Sequence, residues 1–422
     1  MFGKILATIG SRFLVNIIQF FLVIATTHFL GDEGKGEVAL LVLNITLVIQ
    51  FTQFIGGPAL VYLVPRLDVF KMVISAYTWC VVACSAVSAG LILIELAPSE
   101  LGWHLLAISL IQSLGVVNQM VLLGRDRVKE YNWLSIMQVG LLIAVFTGLM
   151  FLDGPRDLQD YLAALYVANG SMLLLSFWRI APEWTWTSLR GMGKEIKEMA
   201  RYGFFAQLGN LAQLLNYRLS FFLLKEWHGV ASVGVYSTGI QLSEVFWVIS
   251  RGISTVQYAH ISNSQDENAN RRLTLDLLKF SFLSVLALLI PALLLPNAFY
   301  TFLFGPEFSQ VKSVLYFLAP GVAVFAVSSI LSHYFAGVGL LKVNAYSSII
   351  GLGFTLVLGF GLIPSYEIAG AGLTATASYS AATAYQLWFF LRYTGFSIKA
   401  LLPTREDGQQ FVSRLRQFLG SQ

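Results

Sequence analysis

Long apolar runs are the feature that most constrains the fold of this chain. A helix needs about 20 apolar residues to cross a bilayer, and stretches of that length recur along the 422-residue sequence. Only 12% of the residues are charged and 56% are hydrophobic, too little charge to cover the surface of a soluble protein of this length. We therefore predict an all-α integral membrane protein whose first apolar run is a retained span and not a signal peptide.

Charged residues and Gly/Pro breaks divide the chain into about twelve predicted spans. They lie at residues 5–30, 37–64, 71–95, 101–123, 131–152, 158–180, 202–225, 231–258, 274–296, 310–334, 341–363 and 368–392. Six spans fall in each half. The predicted organisation is therefore two six-helix lobes around a central cavity: an N-terminal lobe (1–181), a cytoplasmic linker (182–201), a C-terminal lobe (202–395) and a cytoplasmic tail (396–422).

The basic residues predict the orientation of the spans. Successive loops must lie on opposite sides of the membrane. This assignment places 19 Lys and Arg on one side, and the other side has only Lys35, Arg156, Lys225 and Lys312. Cytoplasmic loops carry the excess of positive charge, so both termini are predicted to be cytoplasmic. The linker and the tail each contain a basic amphipathic stretch, "LRGMGKEIKEMAR" and "FVSRLRQFL". Each is expected either to lie on the anionic leaflet or to be an ordinary solvated helix.

The two halves are related by an internal repeat. "GRDRVKEYNWLSIMQVG" (124–140) aligns with "GVGLLKVNAYSSIIGLG" (337–353) at a constant offset of 213. Near the start of each half, Gly36 and Gly234 match at an offset of 198. Both matches preserve span number and side, which predicts parallel repeats related by an axis along the membrane normal.

Polar residues form a stripe on the first span. Arg12, Asn16 and Gln19 are four and three residues apart, so they share one face of a helix. Arg12 lies about 10 Å into the span at 1.5 Å per residue, within reach of the interface by snorkelling. Its alignment with the two amides favours a polar interior face.

The eighth span carries a second polar face. Ser237, Gln241, Glu244 and Arg251 follow one another at steps of four, three and seven residues. Glu244 is the only acid deep in any predicted span. A pair between Glu244 and Arg251 would have to bridge two helical turns, roughly 10 Å, with both side chains stretched.

Other intramembrane polar residues complete the predicted site. The seventh span is rich in amides and contains Arg218, and Lys279 lies near the start of the ninth, where it could also snorkel. The predicted cavity-lining set is Arg12, Asn16, Gln19, Asn210, Asn216, Arg218, Gln241, Arg251 and Lys279, with Glu244 as a candidate for ion coupling. Four basic residues against one acid, among many amides, suit an anion that carries hydroxyl groups.

Neither a metal nor a cofactor is predicted. The five His are scattered, and Cys80 and Cys84, one helical turn apart within a span, are expected to be packing residues. Asp157 and Asp160 in "RDLQDY" are expected to begin a helix.

The chain resembles Wzx-type polysaccharide flippases of the multidrug/oligosaccharidyl-lipid/polysaccharide exporter (MOP) superfamily. The resemblance rests on the twelve spans in two halves, on "FLGDEGKGEVALL" and on "GVYSTGIQLSEVFWVISRGIST". It implies a protein of the bacterial cytoplasmic membrane that flips undecaprenyl-diphosphate-linked oligosaccharides, with Arg12, Arg218 and Arg251 as counterparts of the basic cavity residues. Implied partners are the lipid-linked substrate, membrane lipids, and a polysaccharide polymerase and chain-length regulator; nucleic acid is not one. Lipid II flippases usually have two further C-terminal spans, which disfavours that role.

Two other functions stay open at this point. A cation-coupled multidrug antiporter of the same superfamily would need acids in the cavity, where only Glu244 qualifies. A membrane-embedded polymerase or glycosyltransferase would need paired acids or a metal site, for which Asp157 and Asp160 are the available residues. We expect a transporter and not an enzyme.

Overall fold

The protein is built from α-helices joined by short turns. The computed structural model describes residues 2–151, 157–184, 192–264 and 266–401, and no strand occurs among them. Four short 3₁₀ turns accompany eleven helices in this part of the chain. The helices are α1 (Phe2–Gly56), α2 (Pro58–Leu63), α3 (Val69–Leu93), α4 (Gly102–Gly124), α5 (Val128–Met150), α6 (Leu158–Ile180), α7 (Met192–Asn263), α8 (Glu267–Leu294), α9 (Asn297–Phe304), α10 (Val311–Gly337) and α11 (Leu341–Thr394).

Three of these helices are twice the length of a span, and each is broken at one residue. The breaks lie at Gly31 in α1, Gly229 in α7 and Glu367 in α11. With their halves counted separately, α1, α7 and α11 and the six long helices α3–α6, α8 and α10 provide twelve segments of spanning length. The predicted all-α membrane fold of about twelve helices is confirmed.

Length and apolarity identify eight helices of the described chain as able to cross a membrane. Two of the eight are the double-length stretches 10–63 and 341–394. The helix α7 is not one of the eight, although it forms two of the twelve segments. It is also the helix that carries the amides, Arg218, Glu244 and Arg251.

The kinks at Gly31 and Gly229 lie where the sequence predicts loops between spans. Residues 31–36 and 226–229 were expected to link separate spans, but both are helical except for Gly31 and Gly229. Gly31 has φ 68° and ψ −170°, and Gly229 has φ 83° and ψ 177°. These angles lie in a region that glycine alone adopts readily, so a single residue reverses the chain where a loop was expected.

The internal repeat is visible in the backbone. Gly31 and Gly229 are 198 residues apart, the offset found for Gly36 and Gly234. At the ends of α4 and α10, Asp126 and Gly339 both have positive φ and are 213 residues apart. The hydrogen bonds that close these two helix ends correspond one to one at the same offset, including Arg127 N to Leu122 O and Leu340 N to Phe335 O. The two halves therefore share the backbone conformation and hydrogen bonds of their turns as well as the number of their spans.

The repeated glycines Gly36 and Gly234 make reciprocal close contacts. A Cβ added at Gly36 would lie 2.0 Å from the carbonyl oxygen of Val230, and one added at Gly234 would lie 1.9 Å from that of Asp32. Val230 and Asp32 are themselves 198 residues apart. The first half of the chain and its repeat thus meet here through bare backbone, as small residues allow in membrane proteins.

The kink of α1 is also covered by the segment that follows α9. A carboxylate oxygen of Glu307 accepts a hydrogen bond from the backbone N–H of Asp32 at 2.9 Å. The His28 ring nitrogen lies 3.0 Å from the carbonyl oxygen of Leu303. Glu307 therefore caps the second half of α1 from a distant part of the chain.

Local sequence signals explain several helix starts. Asp68 and Asp266 accept hydrogen bonds from the backbone N–H groups of Lys71 and Ala269, both at 3.0 Å. Asp157 and Asp160 form a capping box at the start of α6. The expectation that these two acids begin a helix is confirmed.

The chain divides into two compact units. The first comprises residues 1–214, 224–238 and 301–308, and its core packs α2, α3 and α4 around residues such as Leu60, Met72 and Val121. Cys80 and Cys84 are free and buried in this unit, as expected for packing residues. The second unit comprises residues 215–223, 239–300 and 309–422, and its core includes Tyr334 and Phe390.

Parts of the predicted linker and tail lie outside the described residues. These parts are residues 185–191 and 402–422, including the basic stretch "FVSRLRQFL"; Arg156 also lies outside. Residues 192–201 form the first turns of α7 and bury Met199 in the core of the first unit. This part of the linker is therefore packed protein, continuous with the helix that follows.

Candidate functional site

The polar face predicted on the eighth span runs along the second half of α7 from a buried end to an exposed end. Ser237 is fully buried, Gln241 and Glu244 are half-buried, and Arg251 is exposed. Ser237 donates to the carbonyl oxygen of Gly234 at 2.9 Å, so its hydroxyl is used within the helix. The functional groups that remain available on this face are Gln241, Glu244 and Arg251.

Glu244 pairs with Arg218 and not with Arg251. The distance from Arg218 Nη2 to Glu244 Oε1 is 2.6 Å, and their side chains are 21% and 30% exposed. The contact is possible because the kink at Gly229 folds the two halves of α7 back on each other. The Arg218 guanidinium also lies 5.2 Å from the centre of the Phe221 ring, a second contact that orients it.

An aromatic cluster holds the α7 face in place. Tyr217, Trp247, Phe325 and Tyr379 pack ring against ring, and the Trp247 indole N–H donates to the carbonyl oxygen of Val322 at 3.1 Å. The Arg251 guanidinium lies 5.7 Å from the centre of the Trp247 ring. The indole is therefore held by its neighbouring rings and by Val322, and its ring also contacts the exposed guanidinium of Arg251.

Gln241 supplies an unused hydrogen-bond acceptor. Its Oε1 atom is buried and accepts no hydrogen bond from the described residues. A buried amide oxygen without a donor is costly, and a hydroxyl group is a donor that would satisfy it.

Asn216 has a structural role in the second unit. It is 4% exposed, and its Oδ1 atom accepts hydrogen bonds from Thr355 at 2.6 Å and from the hydroxyl of Ser378. Its amide nitrogen would lie 2.5 Å from a Cβ added at Gly351. Asn216 thus joins α7 to both halves of α11, and these contacts occupy its side-chain oxygen.

The other predicted site residues lie on α1, on the first half of α7 and on α8. Arg12 and Gln19 are exposed on α1 and Asn16 is half-buried, and none of the three has a hydrogen bond or ion pair within the described chain. Asn210 is exposed and donates to Gln207 at 3.2 Å. Lys279 is half-buried near the middle of α8, since that helix begins at Glu267 and not near residue 274 as predicted.

Sequence reasoning missed the residues that support this face. Thr355, Ser378, Phe325 and Tyr379 act on α7 from α10 and α11, more than 70 residues away in the sequence. The run "GLTATASYSAATAY" (372–385), rich in small and hydroxyl residues, is the signal that α11 packs closely and can donate hydrogen bonds.

The arrangement can bind an anion with attached hydroxyl groups. A guanidinium donates up to five N–H bonds and binds two oxygens of a carboxylate or phosphate at once. Arg218 and Arg251 supply two guanidinium groups, while Gln241 supplies an acceptor. Glu244 is the only acid in the second half of α7.

Residues 158–313 match the sequence profile of a family described as "Polysaccharide biosynthesis protein". This segment spans α6 to α9. It contains every predicted site residue except the three on α1.

Two curated relatives match parts of the chain. A capsular polysaccharide biosynthesis protein of Staphylococcus aureus, CapF, is 25% identical over 181 residues, which are 42% of this chain and 46% of the relative. An uncharacterized membrane protein of Methanocaldococcus jannaschii is 22% identical over 200 residues, 46% of this chain and 39% of that protein. The chain thus matches less than half the length of these relatives.

Solved transporter structures match nearly the whole chain. The lipid II flippase MurJ in an inward closed conformation has a TM-score of 0.74 at 14% identity, covering 93% of this chain and 88% of MurJ. An inward-facing MATE multidrug resistance transporter of the MOP superfamily has a TM-score of 0.70 at 14% identity, covering 92% and 94%. A MOP transporter from Pyrococcus furiosus, whose structure is described as having a binding pocket of reverse polarity, has a TM-score of 0.64 at 15% identity, covering 95% and 96%.

At these identities the solved structures establish the fold. The resemblance predicted from the sequence is confirmed for the fold: the chain has the fold of these MOP transporters, and its residues 158–313 match a family described as "Polysaccharide biosynthesis protein".

Proposed function

We propose that the protein flips undecaprenyl-diphosphate-linked oligosaccharide repeat units from the inner to the outer leaflet of the bacterial cytoplasmic membrane. The product serves the synthesis of a surface polysaccharide: O-antigen, capsule or exopolysaccharide. One observation carries the proposal above the others. The segment that matches a polysaccharide biosynthesis family is the segment that carries Arg218, Gln241 and Arg251.

The chemistry of the α7 face suits this substrate. A diphosphate offers the oxygens that two arginines bind, and sugar hydroxyls offer donors to the unused oxygen of Gln241. We also propose Arg12, Asn16, Gln19, Asn210 and Lys279 as substrate-binding residues. Asn216 contributes by holding α7 and α11 together.

The proposed cycle is alternating access between two repeat-related lobes. It is supported by the internal repeat, which is visible in the equivalent kinks at Gly31 and Gly229. We place both termini in the cytoplasm, and we include the polymerase and chain-length regulator of the pathway as partners.

The two alternative functions have less support. A multidrug antiporter needs acidic groups to attract organic cations, and the acid of the α7 face, Glu244, is paired with Arg218. An enzyme acting on the same sugars needs free acids, but Asp157 and Asp160 form the N-terminal cap of α6. We therefore favour a transporter over an enzyme.

Arginine replacement tests the proposal in the host that makes the polysaccharide. Arg12→Ala, Arg218→Ala and Arg251→Ala should each reduce surface polysaccharide at least about tenfold, because each removes a charge-assisted hydrogen-bond donor. Arg218→Lys should restore export in part, since it keeps the charge without the two-pronged donor. Surface polysaccharide is measured at matched protein levels in the membrane.

Arg272→Ala is the matched control. Arg272 is exposed in the first turns of α8, on the side predicted to face the cytoplasm, and its replacement should leave export unchanged. Normal export from all three alanine variants would contradict the proposed site.

A further inference from the structure

The ion pair between Arg218 and Glu244 uses little of the bonding capacity of either group. The 2.6 Å contact between Nη2 and Oε1 is the only hydrogen bond that either side chain makes within the described residues. Since a guanidinium has five N–H donors, most of those on Arg218 remain available. Glu244 keeps its second oxygen, and its side chain is 30% exposed.

A second Arg–Glu contact in the same chain shows the opposite pattern. Arg127 donates to both oxygens of Glu130 at 2.7 Å, and Arg179 donates to the same carboxylate at 3.1 Å. Arg127 also donates to the carbonyl oxygen of Arg179 at 2.9 Å. This cluster joins α5 to α6, and both oxygens of its carboxylate accept hydrogen bonds. The exposure of its Arg127–Glu130 pair, 29% and 26%, is similar to that of the Arg218–Glu244 pair.

The difference between the two clusters therefore lies in bonding and not in burial. The singly bonded pair also sits on the face that offers a second guanidinium at Arg251 and an unused acceptor at Gln241. Carboxylate and phosphate oxygens compete for the same donors on arginine.

We propose that Glu244 is an internal counter-anion that occupies Arg218 between transport events and exchanges with the phosphate group of the substrate. The substrate phosphate binds first to the free N–H groups of Arg218 and then displaces the Glu244 carboxylate. When Glu244 returns to Arg218, it competes with the phosphate and promotes release. This inference rests on the proposed function, because it assumes that an anionic substrate reaches Arg218.

The exchange predicts that removing the acid strengthens anion binding. Glu244→Gln keeps the size of the side chain and removes the competing charge, so the purified full-length protein should bind inorganic pyrophosphate at least about tenfold more tightly than the wild type. Pyrophosphate should also raise the melting temperature of the variant more than that of the wild type. A purely structural ion pair would give equal or weaker binding on loss of Glu244. Equilibrium binding of labelled pyrophosphate measures the effect.

Three further variants test whether the gain in affinity depends on the Arg218–Glu244 pair. In an Arg218→Gln background, Glu244→Gln should give no gain in affinity, because the donor of the exchange is missing. Asp276→Asn, which removes an exposed acid from α8, should also give none, so a gain there would assign the effect to net charge. Glu244→Asp shortens the acid by one methylene and should strengthen binding to a smaller extent, which provides a test if the Gln variant does not fold.

The outcomes separate this inference from the proposed function. Unchanged pyrophosphate affinity in the Glu244 variants, or a gain that persists without Arg218, overturns the exchange even if lipid-linked sugars are flipped. An Arg218-dependent gain in a protein that does not flip lipid-linked sugars supports the exchange and overturns the proposed substrate.

Discussion

At the scale of single residues, helical spacing identified the polar faces but not the partners of their side chains. Ser237, Gln241, Glu244 and Arg251 follow one face of α7, as their spacing predicts. The partner of Glu244 is Arg218, 26 residues away, because the chain reverses at Gly229. Spacing within one helix carries no information on such a contact, and the same limit applies to Asn216, whose partners lie on α11.

Asn216 provides a stability test at this scale. Asn216→Ala removes the acceptor shared by Thr355 and Ser378. The buried Thr355 hydroxyl is left with only the backbone oxygen of residue 216 at 3.5 Å, whereas Ser378 keeps the carbonyl oxygen of Gly351 at 2.7 Å. We expect a loss of about 1–2 kcal/mol in the free energy of unfolding, within the range for helix–helix hydrogen bonds in membranes. Thermal or denaturant unfolding of the purified protein in detergent measures this loss.

Asn210→Ala is the control for this stability test. Asn210 is exposed and makes a single contact to Gln207, so its replacement should change stability by less than about 0.5 kcal/mol. An equal loss in both variants would contradict the structural role assigned to Asn216.

At the scale of elements, the sequence located the helices well and the kinks poorly. Apolar length and charged breaks predicted α6 at residues 158–180, as observed, and the ends of α3 and α4 to within two residues. The same signals cannot distinguish a loop from a one-residue reversal, because Gly31 and Gly229 lie in runs that remain helical on both sides. Gly36 and Gly234 match in the sequence repeat, and their role in the structure is to allow close approach of the backbone.

The close approach can be tested with alanine. Gly36→Ala or Gly234→Ala places a Cβ about 2 Å from a backbone carbonyl oxygen, of Val230 or Asp32 respectively. The segments of α1 and α7 that carry these glycines must then separate. Separation should expose Ser237, which is fully buried one turn beyond Gly234. We expect a single thiol introduced by Ser237→Cys, with Cys80 and Cys84 replaced by Ala, to react with a maleimide at least about tenfold faster in detergent when either alanine is present.

Alanine at Gly252 is the control for this accessibility test. A Cβ at Gly252 meets no atom within 4 Å, so Gly252→Ala should leave the reactivity at position 237 unchanged while raising helix propensity by roughly 0.5–1 kcal/mol. Equal reactivity in all of these variants would show that the glycine contacts do not close this part of the protein.

At the scale of the whole molecule, composition and charge were enough to predict a multi-span membrane protein, and the alignment of its two halves predicted an internal repeat. The repeat is confirmed by matching turns at Asp126 and Gly339 and by matching kinks at Gly31 and Gly229. Only five of the seventeen residues aligned between the two halves are identical, so the sequence shows this symmetry weakly. Backbone dihedrals preserve it better, because a turn tolerates different side chains as long as its angles can be adopted.

The proposed function requires that this protein move a lipid-linked anion and not an organic cation. The purified protein in proteoliposomes should move a fluorescent undecaprenyl-diphosphate-linked oligosaccharide between leaflets, with at least about tenfold slower movement in Arg218→Ala, and should not accumulate an organic cation under a proton or sodium gradient. Gradient-driven cation transport without movement of the lipid-linked sugar would contradict the account.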